Sequence, residues 1–269
     1  MSRDLQVPNS VLQDMYATNT VQLADGSRVG LRESVAPENA EGLYRAVLSE
    51  RPGRVLEVGM ANGASSLAIL TALDEIGTAG SLTSIDPHQM TDWRGGGVEN
   101  IRRAGFSTSH RLISEPDYLA LPGLLRSGAS FDFVYLDGWH NFDYTLLDFF
   151  FADLMLSPSG VVGFNDCDWK PVARVLSFVQ GHRHYDRIDF CLPARWGDRG
   201  KFSRTSRRAL HRLNPSLPES RAVGPLLGRR REDQYFRKLD AWEPPHGYWK
   251  ALRTRPWPSH GKVGPVYRP

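Results

Sequence analysis

Residues 55–65, Val-Leu-Glu-Val-Gly-Met-Ala-Asn-Gly-Ala-Ser, read as a buried strand that stops just past a carboxylate, turns through two glycines and opens a helix. An apolar strand joined to a helix by a glycine turn is a unit of a parallel α/β sheet. Residues 81–85, Ser-Leu-Thr-Ser-Ile, form a second apolar run, and Asp86 closes it. A glycine turn at the carboxyl end of one strand and an acid at the end of the next frame a nucleotide-binding crevice.

The rest of the chain repeats the alternation. Ala40, Leu43, Tyr44, Val47 and Leu48 follow helical spacing behind Pro37, and Pro52-Gly53 ends that helix. Strands are expected over 54–58, 81–85, 110–114, 131–136, 161–164 and 185–190. Helices are expected over 64–76, 98–104, 118–126 (interrupted at Pro122), 142–156 and 172–179. Nearly continuous apolar strands alternating with helices predict a sheet buried on both faces. The fold class is therefore α/β, a Rossmann-like, doubly wound and mostly parallel sheet, followed by a basic C-terminal extension.

Composition divides the chain further. From residue 195 to 269 there are 18 Lys/Arg against 6 Asp/Glu, a balance of +12; residues 1–194 carry 15 against 24, a balance of −9. We read 1–35 as an N-terminal lead, 36–194 as the α/β domain and 195–269 as the basic extension. The arginines of the extension suit an anionic substrate, nucleic acid, an anionic membrane surface or the acidic body of a second subunit, or simply a solvated tail. Trp242, Tyr248, Trp249 and Trp257 lie among prolines there, and so many aromatics argue for packing, such as a homo-oligomer contact through this extension. Two cysteines, Cys167 and Cys191, make no disulfide framework, and the N-terminus has no basic-then-apolar leader, so a cytoplasmic location is expected. No stretch is long and apolar enough for a membrane span.

The turn argues which nucleotide the crevice takes. A dinucleotide fingerprint has the pattern G-x-G-x-x-G. Here it is Glu57-x-Gly59-x-x-x-Gly63, with an acid in place of the first glycine. An acid there suits a cofactor that carries positive charge and no pyrophosphate, and S-adenosylmethionine, with its sulfonium and ammonium groups, is of that kind. Gly59, Asn62 and Gly63 let backbone approach its methionine part. Glu57 would meet the amino group, directly or through water. Ser65, at the helix start, would bond the carboxylate. Asp86 would accept from the ribose hydroxyls, and Ser114 and Glu115, after the third strand, would lie along the adenine.

Four segments together carry a family resemblance: Glu57-Val-Gly-Met-Ala-Asn-Gly-Ala-Ser65, Ser84-Ile-Asp-Pro87, Phe131-Asp-Phe-Val-Tyr-Leu-Asp-Gly-Trp-His140 and Gly160-Val-Val-Gly-Phe-Asn-Asp166. Over about 35–190 the chain resembles class I S-adenosylmethionine-dependent methyltransferases, especially the catechol and caffeoyl-CoA O-methyltransferase group and related bacterial enzymes. The resemblance implies a seven-stranded sheet whose last strand is antiparallel, and an O-methyltransferase acting on a small-molecule hydroxyl. The residues after 195 have no recognised counterpart in it.

Two further strand ends open on the same crevice: Asp137 to His140, and Asn165-Asp166 with Asp168 behind them. Oxygen-bearing clusters on adjacent strands suit Mg²⁺ or another divalent cation. In the metal-dependent relatives an Asp ends strand four and an Asp-Asn pair ends strand five. Asp137 matches the first, while the pair is reversed here as Asn165-Asp166. Asp137, Asn165 and Asp166 are thus the candidate metal ligands. His140 offers another route as a general base, so Asp137 and His140 are the candidate catalytic pair. Asp168 is read as a third metal ligand or, preferably, as a cap for the helix from residue 172. The loop 88–97, with three consecutive glycines, is read as mobile. Two other functions stay open: a nucleic-acid methyltransferase anchored by the basic extension, and a binding module of the same fold without chemistry.

Overall fold

The computed structural model describes residues 5–77, 79–190 and 233–241. The chain begins with α1 (Ser10–Thr18), whose first turn is capped by Asn9: the Leu12 N–H donates to Asn9 Oδ1 at 3.0 Å. A small antiparallel hairpin follows, β1 (Thr20–Gln22) with β2 (Arg28–Gly30). Then come α2 (Pro37–Glu50), β3 (Arg54–Val58), α3 (Ala64–Ile76), β4 (Ser81–Ile85), α4 (Gly96–Arg103) and β5 (His110–Ile113). The chain continues through α5 (Asp117–Arg126), β6 (Phe131–Leu136), α6 (Phe142–Met155), β7 (Leu156–Phe164), α7 (Lys170–His182), β8 (Tyr185–Ile188) and β9 (Gln234–Lys238).

Seven strands form one sheet in the order β5-β4-β3-β6-β7-β9-β8. Strands β3 to β7 run parallel, and β9 lies antiparallel between β7 and β8. Alternate residues of the central strands point to opposite faces. On one face Val55, Phe133 and Tyr135 pack with Leu12, Leu43 and Leu67. On the other, Leu56, Val134 and Leu136 pack with Phe149, Phe164 and Phe236. Both faces are covered, as the apolar strands require.

Three sequence expectations are corrected. The sheet takes its antiparallel strand from Gln234–Lys238, inside the stretch read as an extension beyond the fold. The 1–35 lead is also part of the core: Val11, Leu12 and Met15 of α1 are buried in the same cluster as α2 and α3, and Asn9 Nδ2 donates to Thr71 Oγ1 at 2.9 Å. Finally, α5 continues through Pro122, because burial of Ala120, Leu121 and Leu124 outweighs the lost backbone bond. Among the described residues, no helix is long and apolar enough to cross a membrane. Cys191, Trp242, Tyr248, Trp249, Trp257 and most of the basic run lie outside the described residues.

Candidate active site

A line of backbone hydrogen bonds runs across the carboxyl ends of the parallel strands. Asp86 N–H donates to Ile113 O, Gly59 to Ile85, Asp137 to Val58 and Asn165 to Leu136, at 2.8–3.1 Å. The four strand ends named by the sequence therefore lie side by side. Gly59 has φ +85°, and a Cβ there would fall 2.0 Å from the Asp137 carbonyl oxygen. Only glycine lets the β3 turn pass this close to the end of β6. Gly63, φ +83°, is the N-cap of α3, so no side-chain cap bond satisfies the helix's first N–H groups.

Glu57 is wholly buried behind this turn. Its Oε2 accepts from Ser66 Oγ and Ser84 Oγ, each at 2.6 Å, while Oε1 has no partner among the described residues. Burial pushes its carboxyl up to about 7, opposed by the hydroxyls of Ser65, Ser66 and Ser84. Asp86 is also buried, and its carboxylate binds the turn itself. Oδ2 accepts the Ala61 N–H at 2.8 Å, the Met60 N–H at 3.3 Å and Gln89 Nε2 at 2.9 Å, and Oδ1 accepts the His88 N–H at 2.8 Å. Asn62 Nδ2 donates to the Arg32 carbonyl at 2.8 Å and so ties the N-terminal lead to the turn. Ser114 and Glu115 follow β5 at the same edge, both exposed.

A narrow cleft opens at the start of α3, lined by Glu33, Ser34, Ala61, Ser65 and Asp137 among others. Glu33 and Ser34 belong to the weakly patterned lead, and nothing in their sequence context marks them. Gln89, the partner of Asp86, is likewise silent in the sequence. Two of the three glycines after Arg94 serve contact: a Cβ on Gly97 would fall 2.5 Å from the Ala61 carbonyl oxygen, and one on Gly96 2.9 Å from Val21 Cγ1. This loop reads from sequence as mobile, yet its small residues let α4 start against the glycine turn.

At the ends of β6 and β7, His140 stands between two carboxylates. Its Nε2 lies 3.1 Å from Asp137 Oδ1 and 3.4 Å from Asp166 Oδ2. His140 and Asp166 both have left-handed backbone, φ 55° and 49°, the kind of local strain that gathers at functional sites. Desolvation raises the Asp137 carboxyl to about 6, against the His140 hydrogen bond. Desolvation works to lower His140, but the bond to Asp137 and the charges of Asp137 and Asp166 outweigh it and raise the imidazole. The His140 ring also meets Trp169, with centroids 5.4 Å apart, and Trp169 and Trp139 are both more than half exposed.

Asn165 is buried, and its Nδ2 donates to the Tyr135 hydroxyl at 3.0 Å. Of the expected ligands Asp137, Asn165 and Asp166, the two carboxylates thus have an imidazole between them, while the Asn165 amide nitrogen bonds Tyr135. Among the described residues, no three His, Cys, Asp or Glu side chains are grouped to hold a metal ion. α7 starts at Lys170 behind Trp169, two residues earlier than the apolar spacing suggested, and its N-cap residue, Trp169, makes no side-chain cap bond.

Residues 56–167 match the family model described as a methyltransferase domain. Among solved structures, the chain is similar to the O-methyltransferase from Bacillus cereus in complex with SAH, at 15% identity over 69% of this chain and 86% of that one, with a TM-score of 0.56. It is similar to the O-methyltransferase TomG from Streptomyces achromogenes, involved in tomaymycin synthesis and in complex with SAM, at 20% identity over 70% and 82%, with a TM-score of 0.52. It is also similar to the SAH-bound methyltransferase PaMTH1 from Podospora anserina, at 16% identity over 86% and 88%, with a TM-score of 0.52. At these identities the likeness is one of fold. No match to the sequence was found among curated proteins.

Proposed function

We propose that this chain, whose residues 56–167 form a methyltransferase domain, methylates a hydroxyl of a small molecule with S-adenosylmethionine as donor. The observation that carries the reading is the convergence of Asp137, His140 and Asp166 at the strand ends beside the glycine turn. The residues fit the cofactor at one narrow cleft: α3 begins there with no side-chain cap, and Ser65 and the acids Glu33 and Asp137 line it. The turn from Gly59 to Ser65, with Asp86, would hold the methionine and ribose parts, and Ser114 and Glu115 would flank the adenine. The cofactor supplies a methyl group activated on positively charged sulfur.

The protein's own part is to orient the acceptor and remove its proton. With Nε2–H donated to Asp137, His140 would take that proton at its other ring nitrogen, Nδ1, and Asp137 and Asp166 would stabilise the imidazolium that forms. The exposed rings of Trp139 and Trp169 offer flat faces beside it for a small acceptor. Asn165 bonds Tyr135 and an imidazole stands between the two carboxylates, so the expected oxygen-ligand set is incomplete and no step is assigned to a cation.

The test is transfer of labelled methyl from S-adenosylmethionine to a panel of phenols and sugar alcohols, with and without EDTA. The expected result is O-methylated product at an EDTA-insensitive rate. Replacing His140 by Gln should lower that rate by about 100-fold or more, with S-adenosylhomocysteine binding retained. Product methylated on nitrogen, or a His140→Gln variant of normal rate, would overturn the assignment.

A further inference from the structure

The acid of the glycine turn does not line the cleft; a different acid does. Glu57 sits behind the turn with its Oε2 engaged by Ser66 and Ser84. The carboxylates in the cleft wall are Asp137, already held by His140, and Glu33. Glu33 makes no hydrogen bond or ion pair among the described residues, and its backbone is left-handed at φ 47°. A non-glycine residue keeps such a conformation only when its surroundings hold it there.

Both sides of Glu33 are held. Asn62 of the glycine turn donates to the carbonyl of Arg32 at 2.8 Å, and Tyr16 of α1 donates its hydroxyl to the carbonyl of Val35 at 2.8 Å. The lead is therefore fastened at two points to the body of the domain, with Glu33 between them on the cleft. Ser65 and the start of α3, which has no side-chain cap, line the same cleft. The cleft thus brings a helix start and a hydroxyl together with a carboxylate. That polarity is complementary to an α-amino acid zwitterion, whose carboxylate meets the helix start and whose ammonium meets the acid.

We infer that Glu33, from the N-terminal lead, receives the α-ammonium of the cofactor, and that Glu57 acts behind the turn as a brace for Ser66 and Ser84. This rests on the reading of S-adenosylmethionine as the cofactor. The ammonium gains a charge-assisted bond from a carboxylate that no other described group engages. The lead then has a binding role as well as a place in the core.

The test compares two ligands by calorimetry on the full chain. S-adenosylhomocysteine carries the amino-acid end, and 5′-methylthioadenosine carries the same nucleoside without it. Glu33→Gln should weaken S-adenosylhomocysteine about tenfold or more and leave methylthioadenosine unchanged; Glu33→Lys should weaken the first further. Glu33 is exposed, and the unfolding midpoint of each variant, expected to match wild type, checks that the chain still folds. Normal S-adenosylhomocysteine affinity in Glu33→Gln overturns the inference, as does an equal loss for both ligands. Failure of the wild-type chain to bind either ligand overturns the cofactor reading instead.

Discussion

Glu57 holds its carboxyl in full burial, and the consequence is a stability that depends on pH. Its pKa rises from 4.5 to about 7, chiefly through desolvation, which amounts to a penalty of about 3 kcal/mol on the ionised form. The folded state keeps the proton that the unfolded chain releases near 4.5. Stability from this group is therefore present below that value and is lost as pH rises through about 7. Asp137, raised to about 6, acts in the same direction, while half-buried His110, lowered to about 4 by desolvation, opposes them. The wild-type profile alone will not isolate Glu57, but comparison with Glu57→Gln will. Urea unfolding should show the variant gaining about 3 kcal/mol on wild type between pH 5 and pH 8; parallel profiles would show that Glu57 is not the buried acid described. Glu57 also shows how far single residues are legible. An acid at a strand end before a glycine was visible in the sequence, but the side on which its oxygens lie depends on Ser66 and Ser84, the latter 27 residues away.

At the scale of elements, the parallel strands were legible because each is a continuous apolar run between turn signals: β3, β4 and β6 fall on the residues expected. The antiparallel strand was not. Gln234–Lys238 has no apolar run, since only two adjacent aromatics, Tyr235 and Phe236, stand between Gln234 and two basic residues, and those basic members are satisfied only by distant partners. Lys238 is buried, with Nζ 3.1 Å from the Leu156 carbonyl and 3.2 Å from Asp153 Oδ1. Asp153 also accepts the Tyr185 hydroxyl of β8 at 2.7 Å, and Arg237 reaches Glu50 of α2 at 2.7 Å. Asp153 is thus a shared anchor for β8 and β9. Replacing it by Ala leaves the Lys238 ammonium buried without its carboxylate and should cost about 3 kcal/mol in urea unfolding. Amide exchange in 234–238 should then be faster than in the central strands. A loss below about 1 kcal/mol, the range of an exposed pair, would mean that this pair does not fasten the strand.

Over the whole molecule, topology does most of the work. Parallel strands deliver their carboxyl ends to one edge, so residues 57, 86, 137 and 165 meet although the chain separates them by more than 100 positions. That convergence was legible before any coordinates. The side-chain directions were not: Asn165 points to Tyr135, Asp86 is occupied by the turn, and His140 lies between Asp137 and Asp166. Nor was the contribution of the lead, whose short elements carry little periodicity yet wall the cleft with Glu33 and Ser34. The central claim is that this crevice is a donor site for methyl transfer, and its most direct test is calorimetric titration of the full chain with S-adenosylhomocysteine. The account predicts saturable binding of one molecule per chain, abolished by Asp86→Ala through collapse of the turn that Asp86 holds. No binding up to about 1 mM, where affinity falls to about 4 kcal/mol, would contradict it.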